Sequence, residues 1–141
     1  MTIQQKAQSI VDEFSMFDDW MDKYSYLIEL GKELPLIDEK YKNETHLISG
    51  CQSRVWLHAE DAKGIIRFTA DSDAVITKGI ISLLIKVLSG STPNEIVNAD
   101  FNFLDEIGLK SHLSPTRANG LVSMVKQMQL YARAFKIKLN N

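Results

Sequence analysis

Cysteine is almost absent from this chain, since Cys51 is the only one among 141 residues. One thiol cannot form an internal disulfide, so a reducing cytoplasm is the expected location. Iron–sulfur clusters generally take about four protein ligands, most of them thiolates, which excludes a cluster scaffold. The three histidines have no spacing typical of a zinc site. We therefore predict that the chain holds no metal and no cofactor of its own.

Long apolar runs, a secretory signal and a strong charge of one sign are also missing. The longest apolar stretch, residues 74–88, is interrupted by polar residues and is shorter than the ~20 residues of a membrane span. Residues 1–8 are mostly polar, so no secretory signal is predicted. A formal net charge of −2 argues against a general nucleic-acid binder. Neither a glycine-rich phosphate loop nor a dinucleotide fingerprint is present. We expect neither a membrane nor a nucleic acid as partner.

Acidic residues are missing from the C-terminal part of the chain. Residues 110–141 carry six basic residues and no acidic one, whereas residues 1–50 carry ten acidic and five basic residues. The basic segment is either a docking face for an acidic partner or nucleic acid, or a helix packed beside an acidic N-terminal helix. The second interpretation is favoured, because charge compensation within a domain is common.

The most informative feature that is present is the sequence around the cysteine, Gly50-Cys51-Gln52-Ser53-Arg54. A glycine before the thiol lets the backbone turn, and two polar residues continue the loop until a β-type pattern begins at Arg54. A lone cysteine is often a buried small hydrophobic residue, but these neighbours are unusual for a core position. We predict that Cys51 lies at the mouth of a loop on a rigid scaffold, where chemistry concentrates.

The segment from Ile48 to Leu57 resembles the signature of the SufE-type sulfur-acceptor proteins. Two further stretches and one weaker match follow that family in order and spacing: residues 70–79, residues 113–121, and residues 20–24 with 28–31. Together these stretches extend over nearly the whole chain. The resemblance implies a single SufE-like domain over residues 1–141, with an α+β fold shared with the IscU-type scaffolds.

The resemblance also implies a function, that of a sulfur acceptor and activator of a cysteine desulfurase of the SufS or CsdA type. Cys51 would take a persulfide sulfur by transpersulfidation and pass it to a downstream iron–sulfur assembly scaffold. Pyridoxal phosphate would belong to the desulfurase, and this chain would be a covalent carrier rather than a stand-alone enzyme. The lack of a second thiol that could trap the sulfur suits such a carrier.

Five residues are candidates for supporting the cysteine. Gly50 would supply loop freedom, and Gln52 and Ser53 would satisfy loop backbone groups or touch the donor enzyme. Asp73 is most simply the N-cap of the helix that follows it. Arg117 lies in the first turn of the last helix, where the helix dipole disfavours a cation. We therefore expect Arg117 to have a task, such as steering an anionic persulfide or gripping the donor.

Two other functions remain open at this point. A cysteine-dependent hydrolase would need His58 or His112 close to Cys51 as a base. A pure binding module with an inert cysteine would need the family motifs to be coincidental. Neither histidine is placed beside the thiol by any sequence pattern, and His58 is predicted on the outer face of a strand.

The patterns predict an α+β fold in which helices pack on a small antiparallel sheet. Apolar periodicity and capping residues indicate helices over residues 2–14, 19–31, 74–88, 92–97 and 101–107, and from residue 114 onward. Asp18 is the expected N-cap of the second helix and Gly31 its end. Lys78, Ser82 and Lys86 are expected to form a polar stripe at the water-facing edge of an otherwise buried helix.

The sheet is predicted to be a hairpin of residues 54–60 and 64–70, joined by a turn over residues 61–64. Pairing of residue 60 with residue 65 would keep the apolar side chains on one face, with Leu57 facing Phe68. A further short strand is predicted over residues 44–48, leading into the cysteine loop.

Overall fold

The computed structural model describes residues 1–139 and confirms the predicted α+β class. The fold consists of a two-stranded antiparallel sheet and helices of very different lengths. The elements in chain order are α1 (Ile3–Ser15), α2 (Trp20–Lys32), β1 (Val55–Ala62), β2 (Ile65–Ser72), α3 (Val75–Leu88), α4 (Pro93–Val97), α5 (Asn102–Glu106), α6 (Leu109–His112) and α7 (Pro115–Leu139).

The hairpin forms as predicted but in a different register. Glu60 pairs with Arg67, whereas the sequence pattern predicted pairing with Ile65. The connection is a two-residue turn, in which Lys63 and Gly64 both have positive φ values of 54° and 90°, and such turns match the twist of the strands. A shift of two residues leaves every side chain on its original face, so the predicted buried face is correct.

The strand predicted over residues 44–48 is absent from its first three residues and survives only as the pairing of Leu47 and Ile48 with β1. Glu44–His46 forms a single turn of 3-10 helix, and the Asn43 side chain accepts a hydrogen bond from the His46 backbone N–H. Asparagine competes for backbone donors in this way and favours turns over strands. A second 3-10 turn, Glu39–Tyr41, precedes it. The segment therefore crosses the outer face of the hairpin as two tight turns.

Two glycines allow α2 and α3 to cross in close contact. A Cβ on Gly31 would lie 3.1 Å from the backbone nitrogen of Gly79, and a Cβ on Gly79 would overlap the carbonyl oxygen of Leu27. Helix α2 ends at Lys32, near Gly31 as predicted, but Gly31 lies inside the helix as a packing residue and is not its C-terminal stop. The N-cap of α2 is Asp19 rather than Asp18.

The polar stripe predicted on α3 is only partly exposed to water. Ser82 is buried, and its hydroxyl donates a hydrogen bond of 2.5 Å to the carbonyl oxygen of Leu30 on α2. A buried hydroxyl needs such a partner, so Ser82 contributes to the α2–α3 contact. Lys78 is partly exposed and Lys86 is exposed.

The last helix, α7, packs mainly against α3, α4 and α6, whereas α1 packs mainly against α3 and α5. The interpretation that the basic C-terminal helix lies beside the acidic N-terminal helix is therefore not supported.

The capping box predicted at Thr92 and Glu95 is present at the start of α4. Helix α6 was not predicted; it follows Gly108 in the left-handed region, with a φ of 71°. None of the helices within residues 1–139 combines the length and the apolar character that crossing a membrane requires.

Candidate functional site

The cysteine lies on a short loop, residues 49–54, whose ends are fastened together. The backbone N–H of Ile48 donates to the carbonyl oxygen of Val55 at 2.9 Å, and Leu47 forms an antiparallel bridge with Trp56. A short antiparallel pairing at the start of β1 therefore closes the loop. The loop leads into the strand as predicted, and the two residues before it, Leu47 and Ile48, pair with β1.

Asp73 holds the downstream end of the loop rather than capping α3. Its carboxylate accepts a hydrogen bond of 3.0 Å from the backbone N–H of Arg54, and its own N–H donates to the Arg54 carbonyl oxygen at 3.3 Å. The cap position of α3 is Ala74, which makes no side-chain cap bond. The predicted N-cap role of Asp73 is therefore wrong, because the carboxylate is already engaged by the loop.

The thiol of Cys51 faces the first turns of α7. Its Sγ lies 3.7 Å from the carbonyl oxygen of Gly120, to which the thiol donates, and a Cβ on Gly120 would lie 3.5 Å from Sγ. The side chain is half-buried, and this burial raises the pKa of the Cys51 thiol. A carbonyl partner also favours the protonated thiol over the thiolate. The resting thiol is therefore protonated and weakly nucleophilic.

Gly50 is required by its backbone conformation and by a close neighbour. Its φ is +91°, in the region that favours glycine, and a Cβ there would lie 2.5 Å from the Oγ of Ser123 on α7. The loop therefore rests directly on α7 at the residue before the thiol. The freedom predicted for Gly50 is in fact a fixed left-handed conformation in close contact with a helix.

We expect Gly50→Ala to destabilise the protein more than Gly64→Ala does. Gly64 has the same kind of φ, +90°, but within the described residues no heavy atom lies within 4 Å of its Cβ position. The control should lose about 1–2 kcal/mol from the unfavourable φ alone, and Gly50→Ala about 0.5–1 kcal/mol more, because the Oγ of Ser123 must rotate away from the new Cβ. Urea unfolding measures both. Adding Ser123→Ala should bring the Gly50 variant back to the Gly64 value; equal losses in the two single variants would contradict the contact.

A cleft of about 330 Å³ opens beside the thiol, between the loop, α3 and α7. Ile80 and Met124 form an apolar floor, and both are buried. The rim is polar and comes from the loop and from the start of α7: Gln52, Ser53, Ser114, Thr116 and Arg117. An apolar floor with a polar rim suits a small reactive group that must be kept from bulk water.

Comparison with known proteins identifies the family. The model of the Fe-S metabolism associated domain, SufE, matches residues 8–132. The chain belongs to the SufE family. An uncharacterized SufE-like protein from Rhizobium meliloti is 40% identical over 125 residues, which is 85% of this chain and 89% of the relative. A second, from Rhizobium etli, is 40% identical over 129 residues, 88% of this chain and 87% of the relative.

A solved structure has the same fold as this SufE-family chain. It is the solution structure of a hypothetical protein from Thermus thermophilus, with a TM-score of 0.77 and 21% sequence identity. The match covers 92% of this chain and 94% of that one. The family description associates the chain with iron–sulfur metabolism.

The SufE-family cleft brings together four of the six residues singled out from the sequence: Cys51, Gln52, Ser53 and Arg117. Gly50 instead lies against α7 at the residue before the thiol, and Asp73 hydrogen-bonds the downstream end of the loop at Arg54. Sequence reasoning missed the floor of the cleft. The only signal for Ile80 and Met124 is helical apolar periodicity, which marks a residue as buried without saying that it lies under a functional group.

The histidines of this SufE-family chain are engaged away from the thiol. His46 and His58 are hydrogen-bonded to each other at 3.1 Å, and the His112 ring stacks on Trp20 with centroids 3.9 Å apart. Within residues 1–139, no three histidine, cysteine or carboxylate side chains are grouped to hold a metal ion. That the chain takes no metal and no cofactor of its own stays a prediction.

Proposed function

We propose that this chain is a sulfur acceptor and activator of a pyridoxal-phosphate-dependent cysteine desulfurase, of the SufS or CsdA type. It would accept sulfur on Cys51 and pass it to an iron–sulfur assembly scaffold, so that the chain acts as a covalent carrier. Membership of a family associated with iron–sulfur metabolism supports a role in that metabolism. The single observation that carries the proposal is the position of the lone thiol. It lies at the edge of a cleft with an apolar floor and a polar rim, on a loop whose two ends are fastened by hydrogen bonds.

In the transfer, one sulfur–sulfur bond forms on Cys51 as another breaks on the desulfurase. The Cys51 thiolate attacks the outer sulfur of a persulfide on the desulfurase, a bond forms between Sγ and that sulfur, and the donor's sulfur–sulfur bond breaks. The donor cysteine leaves as a thiolate, which takes up the proton that Cys51 gives up. No oxidant is needed, because one persulfide is consumed and one is made. Pyridoxal phosphate supplies the earlier release of sulfur from cysteine on the partner.

The resting state of the thiol fits a carrier that should react only with its donor. Burial raises the pKa of Cys51, so little thiolate is present in the free protein at neutral pH. An exposed thiolate would be oxidised, and an exposed persulfide would be lost to reductants. Docking of the desulfurase would displace Cys51 from the Gly120 carbonyl and expose it. A reducing compartment such as the cytoplasm suits this chemistry.

Gln52, Ser53 and Arg117 are well positioned to take part in docking. All three belong to the rim of the cleft, and Arg117 and Gln52 are exposed. Within residues 1–139 no carboxylate lies within salt-bridge distance of the Arg117 guanidinium. A cation without an internal partner is available for an anionic persulfide or a carboxylate of the donor. Asp73 and Gly50 would position the loop without touching the sulfur.

The two alternative functions find less support in the geometry. A hydrolase needs a base that hydrogen-bonds to the nucleophile, but the described partner of Sγ is the Gly120 carbonyl oxygen, and the histidines have other partners. An inert cysteine would be expected in the core, whereas Cys51 is half-buried beside an open cleft.

The proposal is tested by intact mass measurement after incubation with a cysteine desulfurase and cysteine. We expect the chain to gain the mass of sulfur, to lose it on treatment with a thiol reductant, and to gain nothing when the desulfurase is omitted. Peptide mapping should assign the added mass to Cys51. Failure to gain mass with both SufS-type and CsdA-type enzymes, each shown to be active, would contradict the carrier role.

A further inference from the structure

Thr77 is the most deeply buried polar side chain on the wall of the cleft, and the protein makes no use of its hydroxyl. The residue lies in the first turn of α3, lines the same cleft as Cys51 and is 5% exposed. Ser82, farther along the same helix, donates its hydroxyl to the Leu30 carbonyl oxygen. Within residues 1–139 the hydroxyl of Thr77 makes no such hydrogen bond, so it is free to serve a bound group.

The hydroxyl of Thr77 faces the cleft. In the part of the chain that the structure describes, every fully buried side-chain nitrogen or oxygen has a hydrogen-bond partner, so a hydroxyl without one must reach the surface. Because Thr77 is almost wholly covered and lines the cleft, the surface that it reaches is the cleft wall. A buried hydroxyl without a partner costs stability, and proteins break such local rules mainly at functional sites.

The start of α3 favours a negative charge beside this hydroxyl. Its N-cap residue, Ala74, makes no side-chain cap bond, and Asp73 is already engaged by the cysteine loop. The N–H of Lys78 bonds the carbonyl oxygen of Ala74, so the amides of residues 75–77 precede the first backbone bond of the helix. The helix dipole favours an anion there. Among the described residues that line the cleft, Arg117 is the one charged side chain and there is no carboxylate.

A persulfide on Cys51 extends one sulfur atom beyond Sγ, by a bond of about 2.0 Å. In the resting thiol Sγ bonds the Gly120 carbonyl oxygen at 3.7 Å, and Thr77 is not within hydrogen-bond distance of it. A persulfide anion has no proton to donate to that carbonyl oxygen and is repelled by it, so its terminal sulfur turns away into the cleft. The Thr77 hydroxyl, which can rotate to donate, is the buried side-chain donor on that wall.

We propose that the Thr77 hydroxyl binds the terminal sulfur of a Cys51 persulfide and holds that sulfur as an anion at the N-terminus of α3. The inference deepens the proposed function and rests on it, because it needs a persulfide on Cys51. The hydrogen bond keeps the sulfur inside the cleft, above Ile80 and Met124. Since like charges repel, an anionic terminal sulfur also resists attack by the thiolates of small reductants.

The test loads Cys51 chemically, with sodium tetrasulfide and no desulfurase. The Cys51 thiolate attacks a terminal sulfur of tetrasulfide, a sulfur–sulfur bond forms on Sγ, one bond of the tetrasulfide breaks, and trisulfide leaves. The exchange needs no oxidant. After removal of the reagent, intact mass should show the added sulfur on the wild-type chain. If wild-type Cys51 took up no sulfur, the cleft would not admit the extra atom and the inference would be overturned.

The pKa of the loaded persulfide is then measured from the pH dependence of its alkylation, because the anion is the reactive form. Thr77→Val removes the hydroxyl and should raise this pKa by about one unit, which leaves roughly tenfold less anion below the pKa. Thr77→Ser should behave like wild type, and so should Thr69→Val, the same change on β2 outside the cleft. The pKa of the unloaded thiol should stay constant in Thr77→Val, since Thr77 does not bond Sγ.

An unchanged persulfide pKa in Thr77→Val would overturn the inference, and so would an equal shift of the thiol and the persulfide. The urea midpoint of Thr77→Val should equal or exceed that of wild type, because the variant lacks an unpartnered hydroxyl; a lower midpoint would make Thr77 structural. Tetrasulfide loading with the expected pKa shift, but no loading by an active desulfurase, would contradict the proposed function and leave the sulfur site standing.

Discussion

Cys51→Ser is expected to abolish sulfur loading and to reduce stimulation of the desulfurase to the level measured without the chain. An alkoxide is not accessible at neutral pH, and serine oxygen cannot form the sulfur–sulfur bond that carries the product. The fold should survive, because serine is close to cysteine in size and its hydroxyl would lie half-buried beside an open cleft, and the change in unfolding free energy should stay within about 1 kcal/mol. Desulfurase turnover, intact mass and urea unfolding measure the three quantities.

A second variant tests whether any accessible thiol suffices or whether the thiol must stand at position 51. Combining Cys51→Ser with Gln52→Cys moves the single thiol one residue along, from a half-buried to an exposed position. The relocated thiol should alkylate faster than wild-type Cys51 yet stimulate the desulfurase much less, because it would lie at the rim of the cleft rather than against the Gly120 carbonyl. Full stimulation by the relocated thiol would show that the position against Gly120 is unnecessary. Normal stimulation by Cys51→Ser alone would end the carrier proposal.

Arg117→Ala is expected to lower desulfurase stimulation about tenfold, the factor that a loss of 1.4 kcal/mol produces. The guanidinium is exposed at the rim of the cleft, and a charge-assisted contact to a docked anion is worth about this much. Stability should stay constant or rise by a few tenths of a kcal/mol, because a cation in the first turn opposes the helix dipole. Steady-state kinetics with increasing acceptor concentration should assign the loss to the affinity for the desulfurase.

The matched control for Arg117 is Lys126→Ala on the same helix. Lys126 is also an exposed cation, but it lies nine residues farther along α7 and is not part of the cleft. This change should leave stimulation at the wild-type level, and Arg117→Lys should restore part of it. The Arg117 effect should shrink as salt is added, since exposed charges are screened. Equal losses in the two alanine variants would point to overall charge, and a large loss of stability with normal transfer would make Arg117 structural.

Several features of the fold could be predicted because they depend on neighbours in sequence. The capping box at Thr92, the hairpin around Gly64 and the buried stripe of α7 follow from spacings of two to four residues. Local prediction failed where a side chain found a competing partner. Asp73 is a good capping residue, but it bonds the Arg54 backbone instead, and Asn43 turns the expected strand into a 3-10 helix.

The sequence by itself determined that there is one thiol, that it lies on a loop before a strand, and that the chain resembles the SufE family. Only the tertiary structure decided what that thiol faces, since the Gly120 carbonyl and Met124 come from a helix more than sixty residues away. It also decided that His46 and His58 meet, because the turns between them had to be known first. Local patterns indicate which residues are buried or cap a helix. Contacts between distant elements depend on how closely those elements approach, as at Gly31 and Gly79, where α2 and α3 cross without a Cβ between them.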